Sequence, residues 1–450
     1  MSSDSRRQRI DRASEEVIER LCGHVRSEGK LCVIKAPPGS GKTFTLLRAI
    51  KEASDSNRRV AVAGQTNSQC DDICRRFAQD NPGLEIWRFL AASSSGLDDA
   101  FDGVRYIQET GDLPDGPAVV VATTAKWSTV GDFDPYDYLF IDEAWQLAWA
   151  DFMILGRVAS RFVLIGDPGQ IAPVVSIPVK RWETAPRPPH RPAPDVVLAD
   201  PSIDCLRLEL VACRRLPAEG VDLVRPFYDF AFDAWAEPGE RFVRCEQAGR
   251  SRQLADRGLD LLNETTHAIL TLSTPPQGPP LEVDREIAAL AADIALRALE
   301  RGAIAAHDES GNVEPLTAGD VGITATHRVM NVAIKKELAS ALRQGTDSVR
   351  VDTPERWQGL ERKFMIVVHP LSGVVHPSTF DLETGRLCVM ASRQQSAMLV
   401  VSRDHVPETL DTHVPTAEQA VGKPDIAGRG HAQNTKFWQT FVEQGHLLTG

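Results

Sequence analysis

The stretch Ile34-Lys35-Ala36-Pro37-Pro38-Gly39-Ser40-Gly41-Lys42-Thr43 constrains the chain more than any other. An apolar run, Leu31 to Ile34, enters it, and a helical pattern from Phe44 to Ile50 leaves it. Strand, glycine-rich turn and helix start are the parts of a phosphate cradle. The first N–H groups of the helix point at the anion, and the helix dipole favours negative charge there. Gly39 and Gly41 let the backbone approach without a Cβ in the way, with Pro38 and Ser40 in the same turn. Lys42 is placed to reach β- and γ-phosphates, and the Thr43 hydroxyl to ligate Mg²⁺. Ala36 stands where the full pattern has glycine.

A chain of 450 residues has room for two or three domains, each with an ample core. No apolar run approaches the ~18 residues of a membrane span. Met1 to Arg12 is polar and basic, with no apolar segment of the secretory kind. The eight cysteines are scattered. Cys70 and Cys74 lack the His/Cys partners of a zinc site. Cys32, Cys205 and Cys388 lie in apolar surroundings and are expected to be buried thiols of a reducing compartment. These features point to a cytoplasmic protein. The net charge of −12 argues against a protein that coats nucleic acid electrostatically, though not against a local basic groove.

Short β-branched runs alternate with helical stretches. Strands are expected at Leu31–Ile34, Val60–Ala63, Val119–Ala122, Tyr138–Ile141 and Phe162–Ile165. A second set is expected at Ala268–Leu272, Val321–Thr324, Ser348–Val351, Phe364–Val368 and Met398–Ser402. Each set suggests a mostly parallel sheet with helices on both faces, whose ligands sit at the carboxyl ends of the strands. Asp284 to Leu299 carries apolar residues at 287, 290, 291, 294 and 298, one face of a helix. Ser176 to Pro201 is rich in proline and basic residues. It reads as a surface linker or insertion without regular structure, either touching a nucleic-acid backbone or simply solvated.

Leu139-Phe140-Ile141-Asp142-Glu143 is an apolar strand ending in two carboxylates. Asp142 is placed to hold Mg²⁺, and Glu143 to orient and deprotonate an attacking water. With Ala144-Trp145-Gln146 this stretch resembles the DEAxQ box of superfamily 1 helicases, in the branch of the nonsense-decay RNA helicase and its DNA-acting relatives. Gly166-Asp167-Pro168-Gly169-Gln170 resembles the GDxxQ motif of that family and implies Gln170 as the γ-phosphate sensor. Leu210 to Pro217 resembles the fourth motif and places its arginine on Arg214, with Arg215 adjacent. Val351 to Glu361 is close to the fifth motif, VDxxxxxQGxE, and brings Gly359 and Glu361 to the nucleotide. Arg386 to Arg393 resembles the sixth motif and implies Arg393 as an arginine finger.

The resemblance implies two tandem RecA-like α/β domains, 1–205 and 206–450, hydrolysing ATP with Mg²⁺ in the cleft between them. Arg214 and Arg393, or Arg215 in place of Arg214, would neutralise charge on the γ-phosphate. Single-stranded DNA or RNA would be gripped by strand-end loops. Gly64-Gln65-Thr66-Asn67-Ser68 resembles motif Ia, with Thr66 and Asn67 as candidate contacts; Thr123-Thr124 resembles motif Ib; Thr326 and Thr353 follow strands of the second domain. Their hydroxyl and amide groups can hydrogen-bond phosphates without adding charge. Thr66 to Ser68 serve equally as a helix N-cap, and Trp145 and Trp357 suit either core packing or base stacking. Gln394-Gln395 stands where the family has a second arginine after the finger. The adenine-reading glutamine is not evident in Met1 to Lys30. With no large accessory insertion in the first domain, ATP-driven movement is better supported than duplex unwinding. The expected activity is an ATP-dependent helicase or translocase, monomeric and not membrane-bound. The alternative is a nucleotide-dependent switch or remodelling ATPase acting on a partner protein.

Overall fold

The computed structural model describes residues 5–92, 101–175, 178–182, 184–249, 251, 253–280, 283–308, 310–341, 349–415 and 425–450. The chain divides into two units, Met1–Pro168 with Ala172–Ala212, and Gly169–Ile171 with Cys213–Gly450.

The first unit is built on an eight-stranded sheet. Its order is Val104–Ile107, Ile86–Phe89, Val119–Thr123, Val60–Gly64, Tyr136–Ile141, Ala159–Gly166, Leu31–Lys35 and Leu206–Glu209. Every pairing is parallel. The central strands are buried along their length, Val60–Gly64 completely, as an uncharged, valine-rich run with helices on both faces requires. The helices Arg6–Arg26, Lys42–Asp55 and Asn67–Asp80 contribute Leu21, Leu46, Ile50 and Phe77 to one apolar layer. Trp127, Trp145, Phe152 and Val197 fill the layer on the opposite face.

Two expectations are corrected here. The boundary falls after Ala212, not at 205/206, because Leu206–Glu209 completes the first sheet beside Leu31–Lys35. The proline-rich stretch is not devoid of regular structure: Ala193–Ala199 is a helix that buries Ala193, Val196 and Val197. Proline is tolerated at a helix start, where its missing N–H has no partner to lose.

The second unit carries a six-stranded, wholly parallel sheet ordered Arg350–Asp352, Val321–Thr324, Arg362–Val368, Gln394–Arg403, His267–Leu272 and Leu447–Thr449. Ser348 of the expected third strand lies outside the described residues. A small antiparallel sheet of Phe242–Cys245, Ala303–Ala306 and Glu314–Pro315 flanks it. The helix Arg285–Glu300 buries Ile287, Leu290, Ala291, Ile294 and Ala298, the face read from its periodicity. Asp284 caps it, accepting from the N–H groups of Glu286 and Ile287. The same carboxylate holds Arg403 in a buried bidentate pair, with contacts of 2.7 and 2.8 Å. Arg403 also donates to Glu286 and to Ser273 O, each at 2.6 Å. Removing Asp284 thus costs the charge-assisted contacts alone, about 1.5–3 kcal/mol, and does not strand an unpaired charge. Asp284→Ala is therefore expected to lower the unfolding free energy by about that much, read from a urea or guanidinium transition. A change under about 1 kcal/mol would contradict it.

Two histidines of this unit, His267 and His369, are each 1% exposed. Burial pushes His267 down to about 4 and His369 down to about 3. The unfolded chain regains the ordinary value of about 6.5 and takes up protons first. This contribution is thus complete above about pH 6.5 and lost as pH falls toward 4, by roughly 2 kcal/mol per histidine at pH 5. The melting temperature should hold between pH 7 and 8 and drop by about 10 °C by pH 5; a level profile to pH 5 would refute it.

Candidate nucleotide site and strand-end loops

Because the first sheet is parallel, Leu31–Lys35, Tyr136–Ile141 and Ala159–Gly166 deliver their following loops to one edge. The phosphate-cradle loop leaves Lys35 with the Ala36 N–H donating to Gly166 O at 2.9 Å. Gly39 and Gly41 have φ of 62° and 83°. Gly41 is the N-cap of the Lys42–Asp55 helix, a left-handed position that glycine adopts without strain. Lys42 Nζ lies 3.5 Å from Glu143 Oε1, both side chains largely buried. The Glu143 N–H donates to Asp142 Oδ1 at 2.9 Å.

Glu143 has φ 50°. A non-glycine residue there is held by its surroundings at a cost of order 1–3 kcal/mol, and such residues gather at functional sites. Burial, then the charge of Glu143, pushes the Asp142 carboxyl up, while Lys42 pulls it down. The Ser40 hydroxyl is buried without a partner. Two carboxylates and the Thr43 hydroxyl are oxygen donors of the kind Mg²⁺ takes. Unpartnered Ser40, the left-handed glycines and Lys42 suit a polyphosphate. The residues present fit a nucleotide with a divalent cation.

The corrected proline-rich segment has a part here. Trp145, two residues past Glu143, donates from Nε1 to Asp195 Oδ1 at 2.7 Å, and Asp195 sits in the Ala193–Ala199 helix. Trp145 is 3% exposed and belongs to the core. So does Trp357, which is 0% exposed and donates from Nε1 to Ile323 O. Neither tryptophan is open to a base.

Thr66 caps the Asn67–Asp80 helix in a reciprocal box: its hydroxyl accepts from the Gln69 N–H, and Gln69 Oε1 accepts from the Thr66 N–H. Asn67 Oδ1 accepts from buried Arg88. Thr124 donates to Gln65 Oε1 at 3.2 Å, while Gln65 Nε2 is buried with no partner. Gln65, part of the stretch read as motif Ia but given no role there, therefore links the two loops expected to hold a strand.

In the second unit Gln170 packs with Gly169 and Ile171 against the helix Thr384–Ala391: a Cβ on Gly385 would meet Gln170 O at 2.5 Å. Gln170 is 8% exposed. Arg393, 2% exposed, donates from Nε to Val389 O at 3.2 Å, satisfying a carbonyl at the end of that helix. Arg214 lies over the Trp235 ring at 5.4 Å. Its neighbour Arg215 instead pairs with Glu361 and donates to Ser392 O. Gln395 Nε2 also donates to Glu361, at 2.8 Å. Burial would raise the Glu361 carboxyl, but Arg215, Gln395 and Arg393 outweigh it and hold it below its ordinary value. Sequence spacing left Arg214 and Arg215 open; the ion pair with Glu361 is made by Arg215. Gly359, with φ 77°, turns the chain ahead of Glu361. Thr353 (7% exposed) follows Arg350–Asp352, and Thr326, its hydroxyl buried without a partner, follows Val321–Thr324. The parallel sheet brings both to one edge. Cys32 and Cys388 are buried, whereas Cys205 is only half-buried.

The geometry is that of a P-loop α/β protein, and comparison with known proteins agrees. An AAA domain family matches residues 9–109. The RNA helicase Mov10l1 of Homo sapiens is 24% identical over 160 residues, covering 32% of this chain and 13% of that protein. The DNA replication ATP-dependent helicase/nuclease JHS1 of Arabidopsis thaliana is 29% identical over 152 residues, 32% of this chain and 11% of that protein. The chain spans less than a fifth of the length of these relatives. Among solved structures, Arterivirus nonstructural protein 10 (helicase) aligns with TM-score 0.42 and 15% identity, over 88% of this chain and 64% of that one. The two sequence relatives are described as helicases, in line with the helicase resemblance read from the motifs. Among the described residues, no helix is long and apolar enough to cross a membrane.

Proposed function

We propose that the protein hydrolyses ATP with Mg²⁺ at Gly39–Thr43, Asp142 and Glu143, and that this turnover is driven by a bound single strand of DNA or RNA. The observation that carries the reading is the 3.5 Å approach of Lys42 to Glu143 on a glycine-rich helix start, with Asp142 alongside. Pro38 to Thr43 hold the phosphates. Thr43 and Asp142 would hold Mg²⁺, which neutralises phosphate charge. Glu143 takes the proton of the attacking water. Gln170 senses the γ-phosphate, and Arg393 neutralises charge developing on it during turnover, with Arg214 assisting. Gly359 and Glu361 shape the nucleotide-facing turn of the second unit. Thr66, Asn67, Thr124, Thr326 and Thr353 lie on loops that receive the strand. The test is ATP hydrolysis with and without a panel of single-stranded DNA and RNA. Stimulation by at least one polymer, on the order of tenfold or more, is the expected result. A rate indifferent to every strand would favour instead a nucleotide switch acting on a protein partner.

A further inference from the structure

Phe44 stands outside the core of the first unit. It is 54% exposed on the first turn of the Lys42–Asp55 helix. That helix buries Leu46, Ala49, Ile50 and Ala53 on one face, and Phe44 lies on the other. A single exposed phenylalanine is ordinary on a protein surface. This one is distinguished by where it stands and by what backs it. It follows Lys42 and Thr43 directly, one residue past the loop that fits a polyphosphate. Helical side chains lean toward the N-terminus of their helix, which carries the ring toward the phosphate end. Lys42, 3.5 Å from Glu143, marks the side on which a γ-phosphate sits. Phe44 leaves the helix roughly 160° around the axis from Lys42. A triphosphate laid across the helix end, with its γ-phosphate at Lys42, therefore has its nucleoside end toward Phe44.

The ring is braced from behind. Arg48, one turn further along, lies over it at 5.7 Å from the centroid, within cation–π range. Arg48 is held in turn by Glu15 at 3.2 Å and Glu19 at 3.9 Å, both on the Arg6–Arg26 helix. These charged groups pair with one another and leave the ring an apolar face toward solvent. Such a face binds by stacking rather than by reading the hydrogen-bonding edge of a base. Stacking is tolerant, because every base has a π-face. The two-ring purines bury more area on it than the one-ring pyrimidines.

We infer that Phe44 stacks on the base of the bound nucleotide, and that the protein takes nucleoside triphosphates with little discrimination among bases, purines ahead of pyrimidines. The inference rests on the nucleotide reading above and adds the substrate class to it. The test is calorimetric titration of the full chain with ATP, GTP, CTP, UTP and inorganic tripolyphosphate, each with Mg²⁺. It is repeated for Phe44→Ala and Phe44→Tyr, with melting curves to show that both fold. The four nucleotides should bind the native protein within about tenfold of one another. Phe44→Ala should weaken all four by about 5–150-fold, the range for losing one base–aromatic stack, and leave tripolyphosphate unchanged. Phe44→Tyr should restore the native affinities. Nucleotide affinities unmoved by Phe44→Ala, a loss that Phe44→Tyr does not restore, or a tripolyphosphate affinity that falls as far as theirs overturns the stacking role. A preference for one base well beyond tenfold overturns the tolerance. Each of these leaves the nucleotide site in place. A native protein that binds neither nucleotide nor tripolyphosphate overturns the site itself and this inference with it.

Discussion

Glu143→Gln is expected to lower kcat for ATP hydrolysis by ~10²–10⁴, the usual contribution of a positioned general base, and to leave ATP binding nearly intact. The amide keeps the shape of the side chain and can still accept from Lys42, 3.5 Å away in the native protein, but it cannot take a proton from water. The left-handed backbone at Glu143 aims the side chain and does not depend on its charge. A single-turnover assay beside an equilibrium binding assay separates the two effects. A Glu143→Gln protein that turns over at the native rate would remove Glu143 as the base.

Arg393→Ala is expected to lower kcat by ~10³–10⁵, the range for an arginine that neutralises a transferring phosphoryl group, with a much smaller change in ATP affinity. The side chain is buried, with Nε on Val389 O, and it helps hold the Glu361 carboxyl low. Arg393→Lys discriminates chemistry from packing, since lysine keeps the charge but not the planar fork and should restore little turnover. A melting curve run in parallel shows whether the truncation also costs stability. Unchanged kcat in a folded Arg393→Ala protein would rule out the finger role. A parallel loss of kcat and melting temperature, with Arg393→Lys restoring both, would assign Arg393 to packing alone.

Central strands such as Val60–Gly64 and Val119–Thr123 were legible because they are short, valine-rich runs with no charged residue, and burial on both faces leaves nothing to interrupt the pattern. Ile86–Phe89, Val104–Ile107 and Leu206–Glu209 were missed. Two of them are edge strands, and Arg88, Arg105, Arg207 and Glu209 break their apolar character. Ala193–Ala199 was hidden by proline density, although Pro192 and Pro194 only mark its start. The phosphate-cradle loop was legible because it is local: strand, turn and helix are contiguous. The strain at Glu143 and the pairing of Arg215 with Glu361, 146 residues away, are made by tertiary packing and leave no mark in spacing. Thr66 to Ser68 were open between a helix cap and a strand contact; Thr66 caps its helix, and the reciprocal contact with Gln69 was not foreseen.

The claim on which the rest depends is that Gly39–Thr43 with Asp142 is where the nucleotide sits. It is tested most directly by calorimetric titration of ATP, in the presence of Mg²⁺, into the native protein and into Lys42→Ala. One nucleotide per chain is predicted for the native protein. Loss of charge-assisted contacts from Lys42, about 1.5–3 kcal/mol, predicts an affinity ~10–100-fold weaker in the variant. A folded Lys42→Ala protein that binds ATP as tightly as the native chain would contradict the account.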